Sequence, residues 1–264
     1  MLDGLDFTLL TRLDLIHCIM TEERLCTTLS ECASLAELTY VSLAYHPALG
    51  NHKDHDNSAA RAHEITNVLN RRCPGLRKTL RRLILEHFPG QGGRYCNVYT
   101  SLRKLESLHD VYLGANGLFC LPTEALELCP AWDGSPPPDP TPLAQMLPRN
   151  VVFLNIFQAT AWEDRVSDAV LALLDAVEGD KWLFRNLVGI CVWEDIIWDC
   201  SIHEYPQADE AIRAMRTDRK HVWDPRLEAM AAAVGIKFSI QPKASPAPPV
   251  IERLRHTYWC GVWH

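Results

Sequence analysis

The stretch Leu10-Thr11-Arg12-Leu13-Asp14-Leu15-Ile16-His17-Cys18 has the form L-x-x-L-x-L-x-x-C. Leu13 and Leu15 are two apart with a charged residue between them, the spacing that puts both on one face of a β-strand. The cysteine position follows the strand and satisfies backbone groups where the chain bends away. The same spacing returns in Leu80-Arg81-Arg82-Leu83-Ile84-Leu85-Glu86-His87-Phe88 and in Leu108-His109-Asp110-Val111-Tyr112-Leu113-Gly114-Ala115-Asn116. Looser copies are Leu35-Ala36-Glu37-Leu38-Thr39-Tyr40-Val41-Ser42-Leu43, Val151-Val152-Phe153-Leu154-Asn155-Ile156-Phe157-Gln158-Ala159 and Leu187-Val188-Gly189-Ile190-Cys191-Val192-Trp193-Glu194-Asp195. The copies begin at residues 10, 35, 80, 108, 151 and 187, so their spacing is uneven.

One such unit cannot bury its own apolar side, so the units must stack. The expected fold is α/β: an irregular leucine-rich-repeat-like solenoid, with a curved parallel sheet and helices on its convex face. It is expected to fill residues 1–240. The intervening segments read as helices. Thr21 is a candidate N-cap with Arg24 at the box position, and Leu25, Leu29 and Cys32 recur at helical spacing behind it. Residues 57–72 place Ala62, Ile65, Val68 and Leu69 on one face, and Pro74-Gly75 stops them. Residues 166–177 carry Val166, Val170, Leu173, Leu174 and Val177, with Gly179 beyond. Residues 225–234 form a short helix before Gly235, and Ile236, Phe238 and Ile240 alternate as a closing strand.

Two proline-rich stretches interrupt this order. Six prolines between residues 129 and 142 exclude helix and ladder pairing and mark an exposed insertion. Residues 241–264 read as a proline-rich spacer and an aromatic tail with Tyr258, Trp259 and Trp263. Residues 44–56 read as a loop.

Composition narrows the function. Hydrophobic residues make up 47% of the 264, enough for a sizeable core. A formal net charge of -7 opposes a broad nucleic-acid surface. The 10 cysteines include no Cys-x-x-Cys pair, and Cys26, Cys32 and Cys191 stand where leucine is expected; they read as reduced, buried thiols. No signal peptide and no apolar run long enough to span a membrane is visible, so a cytoplasmic or nuclear location is expected.

The repeats, the segment Met146-Leu147-Pro148-Arg149-Asn150-Val151-Val152-Phe153-Leu154-Asn155-Ile156 and the closing Val234-Gly235-Ile236-Lys237-Phe238 resemble fungal F-box/leucine-rich-repeat proteins over roughly residues 9–240. The resemblance implies substrate recognition and another protein as partner, with a ubiquitin-ligase complex as the setting. The F-box itself is not matched: the first repeat strand starts near residue 10, so ligase recruitment does not carry over. A truncated gene product is the corresponding alternative.

The repeat register also nominates a binding surface. Residues between the core positions point away from the core. They are Arg12, Asp14, Glu37, Arg82 and Ile84, then Asp110 and Tyr112, then Phe153, Asn155 and Phe157, then Cys191 and Trp193. The early half is charged and the later half aromatic. An exposed aromatic cluster marks an interface; equally, the aromatic tail folds back and covers it.

No catalytic site and no cofactor are expected. Glu163-Asp164 and Glu194-Asp195 sit just past repeat strands, where capping is ordinary. Gly92-Gly93 lacks the context of a phosphate loop. His46, His52, Asp54, His55, Asp56 and His63 are the densest polar cluster, with His52, Asp54 and His55 as metal candidates. Their spacing fits no standard site and Lys53 lies among them, so a solvated loop is expected; a metal-dependent enzyme is the alternative. His256, Cys260 and His264 repeat every four residues but give three ligands in a segment of poor helix formers.

Overall fold

The two apolar strand positions of every repeat are core positions in a computed structural model of the chain. It describes residues 7–18, 20–42, 60, 62–87, 98–119, 140–157, 163–194 and 223–241. Seven strands lie there: β1 (Arg12–Cys18), β2 (Glu37–Ser42), β3 (Arg82–His87), β4 (Asp110–Gly114), β5 (Phe153–Phe157), β6 (Gly189–Trp193) and β7 (Lys237–Gln241). They form one sheet in the order β1-β2-β3-β4-β5-β6-β7. Every neighbouring pair is parallel, and the sheet is not closed into a barrel. Each crossover therefore carries the chain one strand onward and never back.

Register follows the repeat alignment without a slip in the core. Leu13, Leu38, Leu83, Val111, Leu154, Ile190 and Phe238 are successive partners across all seven strands. Leu15, Tyr40, Leu85, Leu113, Ile156, Val192 and Ile240 form the second row. A repeated backbone joint fixes this alignment just before the strands. The carbonyl of Thr11 accepts from the amides of Ala36 and Glu37, that of Ala36 from Arg81 and Arg82, and that of Arg81 from His109 and Asp110. His109 and Val152 repeat the arrangement toward β5 and β6.

Helices cover the apolar side. They are α1 (Glu22–Glu31), α2 (Ala62–Asn67) continued as a π-helical segment (Val68–Arg72), α3 (Leu76–Thr79), α4 (Ala115–Leu118), α5 (Leu143–Met146), α6 (Glu163–Gly179) and α7 (Arg226–Ala233). Thr21 caps α1 as its sequence suggests, its hydroxyl accepting from the Arg24 amide at 3.2 Å. Leu25, Leu29 and Cys32 are buried behind it. Ala62, Ile65, Val68 and Leu69 share the buried face, although the helix widens after Asn67: the Cys73 amide reaches back to the Val68 carbonyl. Helix α6 buries Val166, Val170, Leu173, Leu174 and Val177, and it includes Gly179 rather than stopping before it. Gly235, after α7, has φ +77, a left-handed conformation that favours glycine at a helix C-terminus.

Strand and helix side chains merge into one core cluster running from Leu25 to Ile236. Its first end is thinner, since Leu13 and Leu15 are half-buried while their partners on β2, Leu38 and Tyr40, and the next ones on β3, Leu83 and Leu85, are fully enclosed. Leu83 sits mid-sheet at 0% exposure. Leu83→Ala is expected to cost about 2–5 kcal/mol, and Leu13→Ala clearly less; urea denaturation of both variants measures the difference.

Candidate functional site

Opposite the core, the alternate strand residues line up in three rows. The row at the strand N-termini is Arg12, Glu37, Arg82, Asp110, Phe153, Gly189 and Lys237. The middle row is Asp14, Thr39, Ile84, Tyr112, Asn155, Cys191 and Ser239. The third holds Ile16, Val41, Glu86, Gly114, Phe157, Trp193 and Gln241. Arg12, Asp14, Arg82, Tyr112, Phe153, Asn155, Phe157 and Trp193, nominated from sequence, thus share one sheet face.

They do not share exposure. The first row is accessible, and Phe153 is 45% exposed. The third row is enclosed through its middle, where Val41, Glu86 and Phe157 are each at 0% and Trp193 is at 7%, while Ile16 and Gln241 at its ends are half-buried. Asn155 is also buried and accepts a hydrogen bond from the Trp193 indole at 3.3 Å. This corrects the expectation of an exposed aromatic cluster. Alternation sets which face a side chain takes, but not what lies over it. Phe157, Trp193 and Asn155 are interior groups, and of the three aromatic strand residues of β5 and β6 the one presented to solvent is Phe153.

Charges in the first row are spent on one another. Arg82 lies between two acids, its Nη1 donating to Glu37 Oε1 at 3.3 Å and its Nη2 to Asp110 Oδ2 at 3.0 Å. Arg12 turns to Asp14 two residues along the same strand, at 2.6 Å. These half-exposed pairs contribute little stability, about 0–1 kcal/mol each. Their effect is to leave the β1–β4 half of the row nearly neutral. Tyr112, beside them, has its phenol pKa raised by burial and then by Asp110.

The other half is different. Between β5, β6 and β7 lies a shallow pocket of about 170 Å³, lined by Phe153, Asn155, Gly189, Cys191, Lys237 and Ser239 among others. Gly189 opens it: a Cβ at this position would crowd the Phe153 ring at 3.3 Å. Lys237 is exposed and has no ion-pair partner among the described residues. Burial pushes the Cys191 thiol up from its usual range, while a hydrogen bond with Ser239 pulls the other way. The pocket therefore offers an aromatic wall, an exposed cation and small hydroxyl and amide groups. Lys237 and Ser239 escape a sequence reading that treats the last strand only as a closing strand; carrying the repeat register one unit further finds them.

A second pocket, about 270 Å³, lies where the start of α6 meets the approach to α7, lined by Asp164, Ser167, Asp168, Trp223, Asp224 and Pro225. Asp224 is already taken by Arg226 at 2.6 Å, and that hydrogen bond first of all lowers its carboxyl pKa. Glu163 and Asp164 occupy the first turn of α6, where acids suit the helix dipole. Glu194 accepts from the Trp223 indole at 3.1 Å. Of the histidine cluster, His46, His52, Asp54, His55 and Asp56 lie outside the described residues, as do the tail and most of the 129–142 insertion. His63 is on α2, with its Nε2 4.0 Å from Glu64 Oε1. Among the described residues no group of three or more potential metal ligands converges, and no helix is long and apolar enough to cross a membrane.

No family model and no curated protein matches the chain.

Two predictions test this geometry. Glu86 is enclosed with its carboxylate over Gly114, where a Cβ would overlap it. Gly114→Ala must displace a buried carboxylate and is expected to destabilise by about 2–4 kcal/mol in urea denaturation. At Cys191 the raised pKa means less thiolate at neutral pH. Its alkylation by iodoacetamide at pH 8 is expected to run slower than that of a free cysteine peptide, slower still in Ser239→Ala, which loses the bond that lowers the pKa, and faster with rising pH.

Proposed function

We propose that the chain is a non-enzymatic protein-interaction module. Its repeats stack as an irregular leucine-rich-repeat-like solenoid, and it binds another protein as the substrate-recognition part of an F-box protein does. What supports the stacking is the uninterrupted strand order and the in-register core rows. Among the described strands that order contains no reversal, unlike that of a doubly wound sheet. By resemblance, a ubiquitin-ligase complex in the cytoplasm or nucleus is the setting.

One observation carries the binding role: exposed Phe153 forms the wall of a pocket beside Lys237, which has no ion-pair partner among the described residues, while the charges at the β1–β4 end are paired. An exposed aromatic ring can anchor a partner, and a cation beside it selects for complementary charge. The partner contributes an apolar side chain with an acidic neighbour.

Affinity capture on the full chain, read by quantitative mass spectrometry, tests this. A reproducible partner is expected, and Phe153→Ala and Lys237→Glu each weaken its binding by about tenfold or more. Glu178→Gln, on the helix that covers the other face, leaves it unchanged. Capture of nothing reproducible, or of a partner indifferent to both first-row variants, rejects the proposal.

A further inference from the structure

Two cysteines far apart in sequence meet at the first end of the sheet. Cys26 lies on α1 and is half-buried; Cys73 follows the π-helical segment and is 2% exposed. They are 47 residues apart. The Cys73 thiol donates to the Cys26 carbonyl at 3.7 Å. Ser30 sits between them, its hydroxyl 3.9 Å from the Cys26 sulfur and 3.6 Å from that of Cys73. The other described thiols are engaged differently. Cys18 donates to the Ile16 carbonyl and Cys32 to the Thr28 carbonyl, while Cys191 lines the pocket with Ser239.

We infer that Cys26 and Cys73 are a reversible disulfide site, oxidised by a small-molecule disulfide such as oxidised glutathione. The two thiols have distinct roles. Cys26 is reachable from solvent and makes the first attack. Its thiolate displaces one glutathione from the oxidised dimer, leaving a mixed disulfide on Cys26 and one glutathione thiolate that takes up a proton. Cys73 then gives up its proton and attacks the Cys26 sulfur, expelling the second glutathione. Two protein thiols are oxidised to one disulfide, and one glutathione disulfide is reduced to two thiols. Burial raises the Cys73 pKa and opposes its acting first. Cys73 resolves instead because its thiol is held at the Cys26 backbone, with one serine hydroxyl reaching both sulfurs, so that its attack is intramolecular.

The bond would tie α1 to the helical segment that leads into β3, and would close a long loop containing β2. Such a closure restricts the unfolded chain, which raises stability.

The experiment treats the purified full chain with excess oxidised glutathione. Free thiols are then blocked, and the peptides are mapped by mass spectrometry without reduction. A cross-linked peptide pair joining Cys26 to Cys73 is expected, reversed by dithiothreitol. A Tm increase of about 5–10 °C accompanies it. Cys26→Ser, a half-buried site that tolerates the change, loses both the cross-link and the Tm shift. A stable glutathione adduct on Cys26 with Cys73 still free overturns the inference. So does pairing of either cysteine with another partner, or persistence of both as thiols.

Discussion

Two rows of apolar side chains, in register across seven parallel strands, are what the rest of the structure hangs on. Leu83 has Leu38 on one side and Val111 on the other, and Leu85 has Tyr40 and Leu113. A parallel strand cannot be followed by a tight hairpin, so every link must leave the sheet and return. The links here return one place further along each time. Each crossover then lays its own helix or turn against the core side, where Leu25, Ile65 or Leu173 completes the burial of the strand beneath. A one-residue slip anywhere would turn Leu to the wrong face and bring Arg82 or Asp110 into the core. The shared carbonyls of Thr11, Ala36, Arg81, His109 and Val152 hold the register at the point where each strand begins.

The same alternation delivers the second face, and there the strands behave unlike one another. Where Arg82 stands between Glu37 and Asp110, opposite charges on adjacent strands offset the cost of lining up polar residues. Where Phe153 and Lys237 flank Gly189, nothing is offset: a ring, a gap and a cation stand side by side. Toward the strand C-termini the face closes. Glu86 over Gly114 is the clearest instance, since only the missing side chain of the glycine makes room for the acid.

Much of this was legible in the residues themselves. The six repeats fall on six strands, and the closing strand was visible from Phe238 and Ile240. The helix over residues 166–177 showed in its apolar spacing, as did the Thr21 cap, because each depends on local chemistry. What the sequence concealed depends on contacts between distant segments. Phe157 and Phe153 are both phenylalanines on one strand and one face, yet one is at 0% exposure and the other at 45%. Nothing local distinguishes them. The meeting of Cys26 with Cys73 is equally non-local, set by where α1 and the π-helical segment come to rest. The spacing of Cys26 marks it as a leucine substitute and says nothing of its neighbour.

Self-pairing on the first row also constrains how a partner can gain specificity there. A charged partner approaching β1–β4 must compete with intramolecular ion pairs already formed, so it gains little by adding a charge of its own. At β5–β7 the lysine has no ion-pair partner among the described residues, and an incoming carboxylate gains the interaction less the desolvation of two groups. Discrimination therefore concentrates at one end of the sheet. Extending the row by a further acid near Lys237 would remove it, because the cation would then be satisfied from within, as Arg82 already is.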